Sequence, residues 1–431
     1  MFLLIDIGVS YIKLAVSEGG LLSDVRRFES PSSAASNIEH IHETDSDIFF
    51  SLVKSAIDSY ILNHPPFKGI LFSTQMHGFV LVDGYEAMSP YFSWKHELDK
   101  VSAHEYILDG LTNSIERNLI QKTGMPLRSG LPSVNLHIMA INGDLNGSSS
   151  FGTIADFVVA KLTKTKISTS ISNAAGSGLF DLAINDWNYK LINELKINVE
   201  FPRLIRSYTE EEIGEYLGVP IYVPIGDQQA SVIGLVRDFK DVAIANIATG
   251  SQSTVIVDHL RFSDSYQTRP LIDHYNLLTI PFLPAGRALN SVVKLISEIG
   301  DVVFGVSDID VWKKIAKYGN DNIDDSSLKI NIDFFSSLKD GGGSISNITE
   351  NNLTIKNVIN SAIIDMVSNH LDALDVLYGE VKYNKLYLSG GLSTKLKMVK
   401  ELFDENIVQE VCSANEEEDA LNGLMVLSQR I

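Results

Sequence analysis

The chain opens on an apolar run, Phe2–Ile7, interrupted only by Asp6, then a short turn, Gly8-Val9-Ser10, and a second largely apolar run, Tyr11–Ser17. Leu22–Phe28 follows after Gly19-Gly20, so the three segments predict an antiparallel meander of short strands. From Ile48 to Leu62 the period changes. Ile48, Leu52, Ala56 and Tyr60 recur at helical spacing and predict an amphipathic helix with those residues on one stripe. Lys68–Ser73 then reads as a buried strand, ending at the polar stretch Thr74-Gln75-Met76-His77-Gly78.

The stretch from about Thr123 to Trp187 is rich in Gly, Ser and Asn and predicts loops and helices inserted on that core. Val219–Ile225 is a further strand, made irregular by Pro220 and Pro224. The opening pattern then returns: strand Val242–Ile247, a turn at Ala248-Thr249-Gly250, and strand Ser253–Val257. Ile355–Leu377 predicts a long amphipathic helix with Ile359, Ile363, Met366 and Leu374 on its apolar face, leading to strand Lys385–Leu388 and the turn Ser389-Gly390-Gly391. Three strands, a helix and a strand, begun twice, is the order of the ribonuclease-H-like fold. The expectation is an α/β protein of two ribonuclease-H-like (actin-like ATPase) domains, residues 1–237 and 238–431, with an active-site cleft between them.

Length supports more than one domain, since 431 residues exceed one ordinary core. A hydrophobic fraction of 45% and a charged fraction of 21% describe a globular protein. The formal charge of −19, with no Lys/Arg-rich block, argues against nucleic acid as a partner. Cys412 is the one cysteine, so no intrachain disulfide can form and a reducing compartment is expected. No apolar run reaches the roughly 18 residues of a membrane span, and no basic leader precedes FLLIDI. The expectation is a cytoplasmic protein without a membrane partner; a homodimer is left open.

The two strand–turn–strand units carry the first candidate chemistry. Tight turns of small residues expose backbone N–H groups, which suit phosphate oxygens. In the first, Asp6 offers a carboxylate to Mg²⁺, directly or through water, Gly8 lets the backbone approach phosphate, Ser10 donates, and Lys13 can neutralise a terminal phosphate. A plain hairpin with a surface lysine explains the same residues equally well. The second turn offers Thr249, Gly250 and Ser251. Gly226-Asp227-Gln228 joins a strand to an apolar, helix-like stretch. There Asp227 could cap the helix or, ionised in a cleft, take a proton from a hydroxyl. Gln75, Met76 and His77 mix polar and aliphatic groups in a way that suits a polyol, and Trp94 could stack on a sugar face or simply pack in the core. Gly390-Gly391 offers a flat platform to a nucleotide base. No His/Cys cluster suggests zinc, and no GxxxxGK[ST] loop is present.

In this order the motifs resemble those of the FGGY carbohydrate kinases. Asp6-x-Gly8-x-Ser10-x-x-Lys13 is similar to that family's first phosphate motif and Thr249-Gly250-Ser251-Gln252 to its second. Gln75-Met76-His77-Gly78 is similar to the segment of its ketose-specific members, and Ser172-Asn173-Ala174-Ala175-Gly176 through Asp181 and Trp187 to another family stretch. Gly226-Asp227-Gln228 matches the segment bearing the family's catalytic Asp, and Ser389-Gly390-Gly391 its adenosine motif. Thr268-Arg269-Pro270, Gly286-Arg287-Ala288 and Gly343–Thr349 lean toward the sedoheptulokinase-like branch, with ribulose- and xylulose-type kinases as close rivals. Three departures stand out. Trp94-Lys95-His96-Glu97-Leu98 lacks an expected arginine, Ala248 stands where Gly is frequent, and Val9 stands where a hydroxyl residue is common.

The resemblance implies a kinase using ATP and Mg²⁺ on a small sugar, a ketose such as sedoheptulose, ribulose or xylulose. Asp227 would be catalytic and, with Asp6, would face the metal. Gln75, Met76, His77, Trp94 and Gln228 would face the sugar, and Gly8, Ser10, Lys13, Thr249, Gly250, Ser251, Gly286, Gly390 and Gly391 would hold ATP. The rivals are an actin/heat-shock-type ATPase, which has no need of a sugar-facing segment, and a sugar- or nucleotide-binding regulator that has lost catalysis.

Overall fold

Strands β1 (Phe2–Ile7), β2 (Tyr11–Glu18) and β3 (Leu21–Glu29) form the expected antiparallel meander. The computed structural model describes every residue except 35–37, 65, 105, 146, 307–309, 319–326, 335–341 and 415–417. All six residues of β1 are buried, because β2 pairs on one side and β4 (Ile70–Thr74) on the other. A strand covered on both faces must be apolar throughout, and that is what FLLIDI is, apart from Asp6 near its end. β4 runs parallel to β1, and β5 (Val219–Tyr222) runs parallel to β4 at the far side. The sheet order is therefore Glu212–Tyr216, β5, β4, β1, β2, β3.

Helix α1 (Ser46–Asn63) starts where Asp45 accepts hydrogen bonds from the Asp47 and Ile48 amides. Its buried face follows the expected stripe only in part, at Ala56 and Tyr60. Phe49, Val53, Ala56, Ile57 and Tyr60 point inward, while Ile48 is exposed and Leu52 half-buried. Two apolar stripes overlap on this helix, and the larger aromatic one won the contact with the sheet.

The second sheet repeats the first. β6 (Val242–Ile247) pairs antiparallel with β7 (Ser251–Val257) and parallel with β10 (Lys385–Ser389). Two strands that the pattern left unassigned, β8 (Gln267–Pro270) and β9 (Asn276–Leu283), extend the edge beyond β7, and β11 (Glu410–Ser413) closes the other side. Helix α4 (Ile355–Glu380) buries Ile359, Ile363, Met366 and Leu374 as expected. It packs with helix α3 (Gly286–Phe304) against this sheet in one continuous core.

Between the sheets lie two helices, α2 (Asp227–Leu235) and α5 (Asp419–Ser428). Their residues Ala230, Ile233, Leu421 and Leu424 share a core with Leu4 and Leu71 of the first sheet and Val242 and Ile244 of the second. The helices meet backbone to backbone. A Cβ on Gly234 would sit 2.7 Å from the Gly423 amide nitrogen, and one on Gly423 would overlap the Ala230 carbonyl. Asp227 is the first residue of α2, so this layer sets where it points. Among the described residues no helix is long and apolar enough to cross a membrane.

Two buried histidines give the fold a pH dependence. His370 of α4 lies against Ser253 Oγ at 3.0 Å, and burial pushes its pKa down to about 3. His96 accepts the His42 amide through Nδ1 at 3.2 Å, and burial pushes it down to about 4. A histidine whose folded pKa is depressed stabilises the fold above its unfolded value and loses that contribution as pH falls toward the folded one. Stability is expected to drop by about 1.4 kcal/mol per pH unit per histidine between pH 6.5 and about 4. Thermal midpoints at pH 7 and pH 5 test this. His370→Gln should lose less than the parent between the two pH values, and equal losses would refute the assignment.

Candidate active site

The carboxyl ends of neighbouring strands in the first sheet bring three distant segments together. Register sets Asp6 opposite Lys13 on one side and Ser73 on the other, while Ile225 and Gly226 pair with Ser73 and Thr74. Asp6, Gln75 and Asp227 thus emerge at one edge, where open α/β sheets hold their ligands.

Asp6 accepts Ser73 Oγ at 2.7 Å and lies 3.6 Å from Lys13 Nζ. Burial lifts its pKa above the ordinary carboxylate range, outweighing the pull of Lys13 and Ser73 in the other direction. Burial alone would lower Lys13, but the charges of Asp6 and Glu418 win and raise it. Both partners are therefore raised. An isolated ion pair would lower the acid, and the difference is the desolvation of Asp6. Glu418, just before α5, holds Lys13 Nζ at 2.9 Å and also pairs with Arg27. Gly8 and Ser10 form the turn above them. Ser30 bonds both, donating its hydroxyl to Gly8 O at 2.9 Å and its amide to Ser10 O at 3.0 Å.

Asp227 follows the N-cap Gly226 as the first residue of α2, and its Oδ1 accepts the Gln228 amide of the first turn at 2.8 Å. Burial, reinforced by the charge of Asp6, pushes its pKa up to about 7, with Arg269 pulling weakly the other way. It borders a cavity of about 200 Å³ shared with Gln228, Asn246, Gln252, Thr254 and Ser389, which opens between the two sheets.

On the second sheet, Thr249 and Gly250 are exposed at the tip of the turn, and Ser251 Oγ accepts the Ala248 amide at 3.2 Å. Gly286 N donates to Ala248 O at 3.0 Å and Arg287 N to Thr249 O at 3.2 Å, so the turn rests on the N-terminus of α3. A helix N-terminus beside exposed amides favours an anion. Gly390 takes φ +89°, and a Cβ there would lie 2.5 Å from Ile247 O, so the chain after β10 passes close over β6 as only glycine allows. Asn246 Nδ2 reaches Ser389 Oγ at 2.9 Å, joining this turn to the cavity wall.

Met76 is buried, with its sulfur 2.9 Å from where a Cβ on Gly226 would stand. His77 takes φ +68°, an uncommon conformation outside glycine, and its Nδ1 contacts Gly176 O at 2.7 Å. A carbonyl can only accept, so Nδ1 carries the proton and Nε2 is an acceptor. Burial and then the charges of Arg128 and Arg269 hold this ring neutral. Gln75 Nε2 bonds Gly8 O at 3.4 Å and borders a second cavity, of about 300 Å³, with Ser10, Tyr91 and Lys95. Trp94 lines neither of these two cavities. It sits in a turn with Lys95 Nζ 5.4 Å above its ring, apart from the other sugar candidates.

Residues 1–234 match the model of the FGGY family of carbohydrate kinases, N-terminal domain. The chain belongs to the FGGY family. It is 28% identical over 228 residues to a xylulose kinase of Staphylococcus xylosus, covering 50% of this chain and 46% of that protein. It is 30% identical over 123 residues to a probable glycerol kinase of Caenorhabditis elegans, covering 26% and 24%. These alignments span less than half the length of either curated relative. The fold of a ligand-bound xylulose kinase from Lactobacillus acidophilus coincides with all of this FGGY chain and 89% of its own length, at TM-score 0.83 and 18% identity. Plasmodium falciparum glycerol kinase with ADP gives 0.83 at 17% identity, over 99% of this chain and 89% of its own. At these identities the likeness shows the two-domain, actin-like ATPase fold.

Several polar residues of the cleft were not among the site candidates read from the sequence. Tyr91 OH, Asn173 Oδ1, Arg128 Nε and Gln229 Oε1 are buried polar atoms without a hydrogen-bond partner. Asn173 lies on the His77 side of the site, Gln229 beside Gly226, and Tyr91 is raised above the ordinary phenol range by burial and by the charge of Asp227. Arg128 arrives from the loop after Gly124, whose carbonyl accepts the Thr268 amide at 2.8 Å at the edge of the second sheet. Of these only Asn173 lies in a motif quoted above, and the chain's path brings them together.

Proposed function

We propose that this FGGY chain is an ATP-dependent carbohydrate kinase, transferring the γ-phosphate of ATP to a terminal hydroxyl of a small sugar, with a ketose such as sedoheptulose, ribulose or xylulose as the starting expectation. The observation that carries the reading is Asp227. It is a carboxylate on the wall of the interdomain cavity, within Asp6's field, with the unpartnered buried Tyr91 OH in its own field and Gln229 Oε1 beside the preceding Gly226. Such atoms are costly in a folded protein unless a ligand completes them, and the hydroxyls of a polyol can.

In this mechanism Asp227 accepts the proton of the attacking hydroxyl. The hydroxyl oxygen bonds to the γ-phosphorus as the bond to the β–γ bridging oxygen breaks, and ADP leaves. Lys13 and the turns at Gly8–Ser10 and Thr249–Ser251 face the charge that spreads over the transferring group. Gln75, Met76, His77 and Gln228 orient the sugar, while Gly286, Gly390 and Gly391 shape the nucleotide side. Asp6 and Asp227 fit Mg²⁺, an ion usually held by one or two carboxylates with water and phosphate oxygens completing its shell. When bound, Mg²⁺ would offset phosphate charge. Residues 1–237 and 238–431 are the two domains of this scheme, and a cytoplasmic setting suits its substrates.

An actin/heat-shock-type ATPase would share the phosphate turns but would leave these unpartnered polar atoms without a purpose. A catalytically silent regulator would bind ATP and sugar and form no product. ADP formation from MgATP, measured against ketoses, polyols and sugar acids with product mass confirmed, separates the three. Sugar-dependent ADP and a phosphorylated product support the kinase. Sugar-independent hydrolysis supports the ATPase, and binding of both ligands without product supports the regulator.

A further inference from the structure

Two arginines converge near Asp227, and neither is directly paired with a carboxylate: Asp227 acts on Arg269, and Glu97 on Arg128, only at longer range. Arg269 of β8 is buried. Its guanidinium bonds Gln228 Oε1 and Gln267 Oε1, both neutral amide oxygens. Gln228 follows Asp227 directly and borders the interdomain cavity, so Arg269 stands immediately behind the reacting end of the site. Arg128 reaches the same place from the other domain, its guanidinium 5.0 Å over the ring of Phe282 on β9. It donates one bond, Nη1 to Ser129 O at 3.0 Å, and its buried Nε has no partner. The bond from the Thr268 amide to Gly124 O, at 2.8 Å, joins the two segments. Phe282 itself takes φ +63°, an outlier for an aromatic residue, which marks this contact as a strained one.

Among the described residues neither guanidinium has a carboxylate within ion-pair distance. Guanidiniums withdrawn from water without a directly paired carboxylate are costly, and a neutral polyol would leave that cost in place. An oxyanion would meet it, through the paired N–H donors that suit a planar carboxylate or a phosphate. His77, neutral and with Nε2 free to accept, adds no competing negative charge.

We infer that Arg128 and Arg269 form a subsite for an oxyanion on the acceptor, so that the preferred substrate is an acidic sugar, with its anionic group held by the arginines and its attacking hydroxyl at Asp227. This rests on the kinase reading and narrows its acceptor. It also gives a place to the arginine missing after Trp94: positive charge enters the site from two other segments.

The test compares acceptors of equal carbon number: gluconate with sorbitol and fructose, ribonate with ribitol and ribulose, and fructose 6-phosphate as the phosphate arm. Calorimetric titration of the same compounds without ATP runs in parallel. The acid is expected to exceed its neutral counterpart by about ten- to hundredfold in kcat/KM, the range of a charged hydrogen-bonding pair. In Arg128→Gln that ratio should fall toward one. Arg269→Lys keeps the buried charge but loses the fork, and should retain the fold, checked by thermal melting, with most of the preference lost. Whether carboxylate or phosphate gives the larger ratio names the oxyanion. Neutral sugars turned over as well as the acids would overturn the subsite and leave the kinase standing. No turnover of any acceptor, with acids bound by the parent and not by Arg128→Gln, would keep the subsite and remove the kinase. Neither turnover nor acid binding would remove both.

Discussion

Asp227→Asn is expected to lower kcat by about 10²–10⁴-fold, the usual range for removing a general base. The change keeps the side chain's shape and its one short contact, the Gln228 amide at 2.8 Å onto Oδ1. Asn keeps the Oδ1 acceptor, so the Gln228 amide in the first turn of α2 stays bonded without the charge. Burial and Asp6 both act against the ionised form, which the substitution removes. The thermal midpoint should therefore stay level or rise while turnover collapses. Turnover within threefold of the parent would end the assignment of Asp227 as base. A fall in midpoint matching the fall in activity would mean that Asp227 holds the structure instead.

Gly423→Val is expected to have the largest effect on stability. A Cβ at position 423 would overlap the Ala230 carbonyl, and the opposing Gly234 already lies against the Gly423 backbone. Neither obstacle is the end of a flexible side chain, so the helices α2 and α5 must separate or the substitution cannot be accommodated. Overpacking of this kind costs about 1–3 kcal/mol, and rigid backbone on both sides puts this site at the upper end or beyond. Separation also moves the first residue of α2, so the variant should lose activity even where it remains folded. Denaturant unfolding and ADP formation on the same preparation measure both. Parent-like stability with parent-like activity would show that the layer between the sheets can slide freely, contrary to its packing.

Much of the fold was legible along the chain, for a physical reason that differs by element. β1 and β6 are covered on both faces, so their apolar runs could hardly be anything else, and the turns after them need small residues whatever the rest of the protein does. The long α4 helix showed its buried face because one stripe dominates it. α1 misled because Ile48 and Phe49 begin competing stripes, and only the sheet beneath chose between them. β8 and β9 were missed because an edge extension is decided by a neighbour far away in sequence.

The site divides in the same way. Asp6, Lys13, Gly8, Ser10 and Asp227 could be named from sequence because local turns impose their residue types. That Asp6 lies opposite Ser73 and near Asp227 follows from strand register, a pairing between segments as much as 221 positions apart that no local pattern encodes. Arg128, Arg269, Tyr91 and Asn173 belong to no periodic pattern. Their chemistry depends on which charges and unpartnered donors end up beside one another once α2 and α5 lock the two sheets together. Sequence alone determined the two-domain plan and the two strand–turn–strand units. Tertiary structure decided the electrostatics of the cleft, because desolvation and charge–charge distance exist only after the chain has closed on itself.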